Sequence, residues 1–129
     1  MAVNPNLLVQ QQFVAAVFAG DGDTIRSLAA PDFELLEGSG TPFAGVWQGA
    51  DGFLRFLGVF NETFDLEYLK PVRHYASADP DCLAFEFDLR GVHRATGEIF
   101  DSTLIEIWTF RDGKVVAVKP HYFNTPKPG

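Results

Sequence analysis

Cysteine is almost missing from this chain. Cys82 is the only one among 129 residues, so no intrachain disulfide can form and no Cys pair has zinc-site spacing. The three histidines, His74, His93 and His121, stand in neither His-x-His nor His-x3-His spacing, and no metal site is expected. Positive charge is scarce too. Ten Lys and Arg stand against 17 Asp and Glu, a formal net charge of −7, with no basic run. That balance disfavours nucleic acid and anionic membranes as partners. No apolar run approaches the roughly 20 residues of a membrane helix. The N-terminus lacks the basic start and long apolar stretch of a signal peptide, so a cytoplasmic location is the default expectation. GxGxxG, P-loop and GxSxG patterns are absent, which removes support for dinucleotide, nucleotide and serine-hydrolase readings.

What is abundant is apolar and aromatic. Hydrophobic residues make up 47% of the chain, enough for a real core, and 129 residues suit one domain, 1–129, better than two. The 13 Phe exceed the usual need of a small core. They either fill it or line a pocket or an interface.

The pattern of elements follows from caps and periodicity. Asn4-Pro5 is suited to open a helix carrying Leu7, Phe13, Val14, Val17 and Phe18 at helical spacing, ended by Gly20-Asp21-Gly22. Asp23 can cap a short second helix reaching Ala29 or Ala30, with Pro31 as its stop. Phe33 to Glu37 reads as a strand with Phe33, Leu35 and Glu37 on one face, and the Gly-rich segment 38–49 reads as loop. A third helix over Ala50 to about Asn61 presents Phe53, Phe56, Leu57 and Phe60. Four strands follow, roughly Phe64–Ala76, Cys82–His93, Glu98–Arg111 and Lys114–Asn124, and residues 126–129 read as a mobile tail. Asp112-Gly113 between the last two strands is a strong hairpin signal. Helices followed by antiparallel strands make an α+β pattern, in which a curved sheet wrapped over the helices leaves a concavity suited to a small molecule.

The candidate chemistry lies in two glutamates. Leu104, Glu106, Trp108 and Phe110 share one strand face, apolar except for one carboxylate. Glu106 is therefore either a structural partner of a basic group such as Arg73 or His74, a group turned to water or to a dimer partner, or an acid held in a cavity, where desolvation would favour its neutral form. Glu37 is either a solvated strand-end carboxylate or a general base. Trp47, Phe53, Phe56, Phe60, Phe87 and Trp108, together with Phe13, are candidates for an apolar pocket wall; each one alone could equally be core. Alternation sets His121 opposite Tyr122 on the last strand.

The segments TPFAGVWQGADGFLRFL and WTFRDGKVVAVKPHYFNT, in this order of helices and strands, resemble the SnoaL-like branch of the NTF2-like superfamily, near the ketosteroid isomerases. The resemblance implies an α+β, NTF2-like cone: three N-terminal helices on a strongly curved, mostly antiparallel sheet that encloses an apolar pocket. It also implies a small apolar or aromatic ligand, no cofactor, and a homodimer built through an outer sheet face carrying Ile105 and Ile107. In register with the steroid isomerases, Glu37 falls at the general base, Glu106 at the protonated acid that donates to an oxyanion, and Tyr122 at a site aromatic. Three positions depart from that pattern: Ala15 stands near the place of the helix-1 tyrosine, Phe56 replaces a supporting tyrosine, and Asn124 stands where many relatives have aspartate. The resemblance is compatible with cofactor-independent isomerisation, cyclisation or dehydration, and equally with a non-catalytic binding or protein-interaction module.

Overall fold

The computed structural model describes residues 3–126, which form three helices and one open, six-stranded mixed sheet. Helix α1 (Pro5–Ala19) starts as its sequence dictates. The Asn4 side chain accepts from the Asn6 N–H, Pro5 occupies the first turn, and Gly20 closes the helix in the left-handed conformation at φ 68°. The side-chain amides of Asn4 and Asn6 donate to the Pro80 carbonyl at 2.9 and 3.0 Å, which pins the start of α1 to a turn of the sheet.

Helix α2 (Gly22–Leu28) is capped by Asp21 rather than Asp23: the Asp21 carboxylate accepts from the Thr24 N–H. Asp23 falls inside the first turn instead, where its charge suits the helix dipole. Pro31 does not stop this helix, because strand β1 (Ala29–Glu37) has already begun. The proline sits where the β1 pairing shifts register between Ala29 and Glu34, a stretch in which its missing N–H breaks no ladder bond. The segment expected to be loop contains a four-residue strand, β2 (Gly45–Gln48), antiparallel to β1. Helix α3 (Gly49–Thr63) follows it directly.

Strands β3 (Phe64–Ala76), β4 (Cys82–His93), β5 (Ile99–Arg111) and β6 (Lys114–Tyr122) complete the sheet in the order β2-β1-β6-β5-β4-β3. All neighbours are antiparallel except β1 and β6. The β5–β6 hairpin turns through Asp112 at φ 53° and Gly113 at φ 75°, the two left-handed residues that a tight two-residue hairpin requires. Residues bulge out of register at Glu67, Val72 and Val116, and bulges bend and twist a strand, which curls this sheet over the helices. Pro126, expected in a mobile tail, is buried; residues 127–129 lie outside the described part.

The core is aromatic. Phe13 of α1 meets the rings of Phe33, Phe53 and Trp108 with centroids 6.0, 5.2 and 5.4 Å away, tying α1 and α3 to the sheet. Alternation on β4 holds as expected, with Leu83, Phe85, Phe87 and Leu89 all buried. At Gly91 the backbone of β3 comes so close that a Cβ would lie 2.9 Å from the Asp65 carbonyl oxygen. Gly91→Ala is therefore expected to destabilise by about 1–3 kcal/mol, since only a strand shift can relieve the clash. Gly58→Ala in α3 meets open space and should stabilise by about 0.4–1 kcal/mol. Thermal denaturation of the two variants checks the contrast, and equal melting temperatures would refute it.

Candidate functional site

The concave face of the sheet and the helices leave a cavity of about 280 Å³. Helix α1 supplies Phe13, Val14, Val17 and Phe18 to its wall, α3 supplies Phe53, Phe56, Leu57, Phe60 and Asn61, and β3 and β4 supply Leu66, Leu69, Phe87 and Leu89. Strands β1, β5 and β6 bring Leu35 and Glu37, then Leu104, Glu106 and Trp108, then Val118, Pro120 and Tyr122. Six of the 13 phenylalanines thus face this space, which accounts for part of their surplus.

Strand topology brings the polar groups together. Strand β6 lies between β1 and β5, and the last β1–β6 pair is Leu35↔Val118. Two residues on, Pro120 pairs with Glu106 across β5 and has no N–H with which to extend the ladder toward β1. Side chains bridge where the backbone ladder stops: the Tyr122 hydroxyl lies 3.2 Å from both carboxylate oxygens of Glu37. On the other side of β6, the Trp108 indole N–H donates to Glu106 Oε1 at 3.0 Å.

Both carboxyls sit in apolar surroundings with no cation beside them. Glu37 is 6% exposed, and burial pushes its pKa up to about 8. The Tyr122 hydroxyl opposes that rise, and the nearby Glu106 charge adds to it. Glu106 is pushed up to about 7, again by burial, with the Trp108 N–H pulling the other way. It is only partly buried, and the surface it keeps belongs to the cavity wall. Burial, together with the two carboxylates, raises the Tyr122 phenol well above its ordinary value. The cost of desolvating a charge is the common cause.

Set against the expectations, the structure brings Phe13, Glu37, Phe53, Phe56, Phe60, Phe87, Glu106, Trp108 and Tyr122 to one cavity. Trp47 is outside its wall. The Trp47 indole N–H donates to the Phe43 carbonyl and the ring packs behind Phe56, so it braces the wall from outside. Neither Arg73 nor His74 pairs with Glu106; Arg73 instead pairs with Glu86 on the other face. Ala15 is exposed, and Val14, Val17 and Phe18 are the α1 residues that reach the cavity. Asn124 is exposed too and donates to the Asp101 carbonyl, away from the site. His121 points outward, as alternation requires.

Sequence reasoning did not single out Asn61, Leu66, Leu69 or Pro120 as wall residues. Leu35 and Leu104 were findable, since each lies two residues from a candidate carboxylate on the same strand face. Among the described residues no group of three or more His, Cys, Asp or Glu is placed to hold a metal ion. No described helix is long and apolar enough to cross a membrane.

Three helices against a curled six-stranded sheet, with an acid-bearing cavity between them, define an NTF2-like α+β cone. The chain belongs to the SnoaL-like domain family, whose model matches residues 10–118. Among solved structures it is similar to an NTF2-like protein from Burkholderia xenovorans LB400, with a TM-score of 0.85 and 21% identity over 95% of this chain and 92% of that one. It is also similar to TerC co-crystallised with polyporic acid, with a TM-score of 0.78 and 21% identity over 92% and 91% of the two chains. A third is a protein of ketosteroid isomerase-like fold from Catenulispora acidiphila in complex with trimethylamine, with a TM-score of 0.72 and 11% identity over 88% and 84%. No curated protein sequence matches the chain.

Proposed function

We propose that the protein binds a small, largely apolar molecule in this cavity and moves a proton on it without a cofactor, as an isomerase, cyclase or dehydratase would. The observation that carries the reading is that two desolvated carboxyls, Glu37 and Glu106, line one apolar space with pKa values raised to about 8 and 7. Near neutral pH such a pair holds one group mostly protonated and the other about half ionised, so acid and base are present together. The polyporic acid and trimethylamine held by two proteins of the same fold support a small-molecule ligand.

The hydrogen bonds favour one division of labour. An indole N–H can only donate, so Trp108 supports the carboxylate form of Glu106 and suits it to the role of base. A phenol can donate or accept. Tyr122 can therefore accept from a protonated Glu37 and turn its own O–H toward the atom on which negative charge collects. This is the reverse of the roles that the resemblance to steroid isomerases implies.

A second reading is a binding module without chemistry. The hydrocarbon side chains Val14, Val17 and Phe18, where α1 meets the cavity, favour it, because no hydroxyl from this helix joins the two acids. We also extend the reading to a homodimer through the outer sheet face, where Ile105 is 37% exposed.

Deuterium incorporation separates enzyme from binder. A ligand that co-purifies, identified by native mass spectrometry, is incubated with catalytic protein in D2O. Deuterium at one of its carbons is the expected result. Binding without incorporation or product would leave the module reading standing and overturn the enzyme.

A further inference from the structure

The charge inventory of the cavity is one-sided. Glu37 from β1, Glu106 from β5 and Tyr122 from β6 are its titratable groups. The wall residues from α1, α3, β3 and β4 are hydrocarbon or aromatic apart from the Asn61 amide. No lysine, arginine or histidine from any described element reaches the space. Two carboxyls therefore face one another's charge in a desolvated site with no countercharge of the protein's own.

The rest of the wall suits a positive guest. Phe13, Phe53, Phe56, Phe60, Phe87 and Trp108 turn toward the cavity, and aromatic faces attract organic cations, most strongly when water is excluded. An anionic guest would find only the Tyr122 hydroxyl and the Asn61 amide as donors and no cation to pair with, so its charge would stay uncompensated beside the carboxylates. A neutral guest would fit, leaving the acids uncompensated. The net charge of −7 also raises the local concentration of cations over anions.

From the acid-only inventory and the ring-lined wall, we infer that the cavity is built for a lipophilic organic cation: a tertiary or quaternary ammonium carried on an apolar body, its charge placed beside Glu106 and Glu37. This names the ligand class of the site proposed above and rests on that reading of the cavity as a small-molecule site. Trp108 has two parts in it. Its ring belongs to the wall, and its N–H donates to the carboxylate form of Glu106, the form that a cation pairs with.

Two isosteric probes test the charge alone: benzyltrimethylammonium and neopentylbenzene, in which carbon replaces the charged nitrogen. The Trp108 indole N–H resonance, in contact with Glu106, reports binding of either one. At pH 8 the cation is expected to bind about 10- to 100-fold more tightly than its isostere. Its affinity should fall about tenfold or more on going to pH 6, as the carboxyls take up protons, while that of the neutral probe stays constant. Cation binding should also release protons, seen as a dependence of the binding heat on the buffer's ionisation enthalpy. In Glu106→Gln the preference for the cation should shrink at least tenfold while neopentylbenzene still binds, and an undiminished preference would overturn the inference.

Equal affinities for the two probes at pH 8, or tighter binding of the neutral one, would overturn the cation inference and leave the apolar site standing. Binding of neither probe would remove the small-molecule site itself, and this inference with it.

Discussion

Exchange of both Glu37 and Glu106 for glutamine is expected to stabilise the protein at about pH 9, on the order of 8 kcal/mol for the pair. The sign follows from proton binding. Both carboxyls titrate at 4.5 when unperturbed, and burial in the folded chain raises them to about 8 and about 7. Between those values the folded state holds protons that the unfolded state has released. Stability is therefore full below about pH 4.5, declines as pH rises, and levels off above the folded-state values. Each pKa step of one corresponds to about 1.4 kcal/mol, and a total stability of about 5–15 kcal/mol makes such a loss easy to see. Glutamine has the shape of the neutral acid, accepts from Trp108 as before and cannot ionise. The measurement is urea denaturation from pH 5 to pH 9. The wild type should weaken steadily, each single variant less, and the double variant least. A wild-type midpoint that does not change over this range would mean that both groups titrate near 4.5, and the acid–base pair would be lost with them.

Glu106→Gln is expected to lower the rate of deuterium incorporation into the bound substrate by about 10²- to 10⁴-fold, the range for loss of a positioned base. Glu37→Gln should cost less. Its amide can still donate to the Tyr122 oxygen and leave the phenol proton free for the substrate. The two variants should differ in pH profile as well as in size. Wild-type rate should rise as Glu106 ionises near 7 and fall as Glu37 loses its proton near 8, a narrow bell. Glu37→Gln should keep the acid limb and lose the alkaline one. Because the pair is coupled, the two limbs belong to the pair rather than to single residues, and the variants are what assign them. If Glu37→Gln abolished the rate while Glu106→Gln spared it, the roles would be those the steroid isomerases suggest.

Local chemistry was readable from the sequence, and long-range chemistry was not. The hairpin turn needs only two left-handed residues in sequence, and Asp112-Gly113 announces it. The apolar face holding Glu106 follows from alternation within one strand. The Tyr122–Glu37 contact spans 85 residues and depends on β1 running parallel to β6, a pairing that no local signal encodes. Strand β2 was hidden because glycine and proline dominate its surroundings, yet four residues suffice once β1 offers an edge. Helix α1 is as sensitive: one residue along it turns a side chain through about 100°, so Val14 reaches the cavity while Ala15 faces solvent. Trp47 shows the converse limit: its type suited a pocket wall, and only packing reveals that Phe56 stands in front of it.

Strand β3, whose bulges help to curl the sheet, is also its free edge, with every residue from Lys70 to Ala76 exposed. A flat edge of that length would be a template for another molecule's strand. Here Val72 bulges out of register, Pro71 lacks a donor, and Lys70 and Arg73 add charge, so an incoming strand meets an irregular row of partners. The opposite edge, β2, is only four residues long. The sheet can therefore stay open, as a cavity with an entrance demands, without recruiting neighbours strand by strand into aggregates.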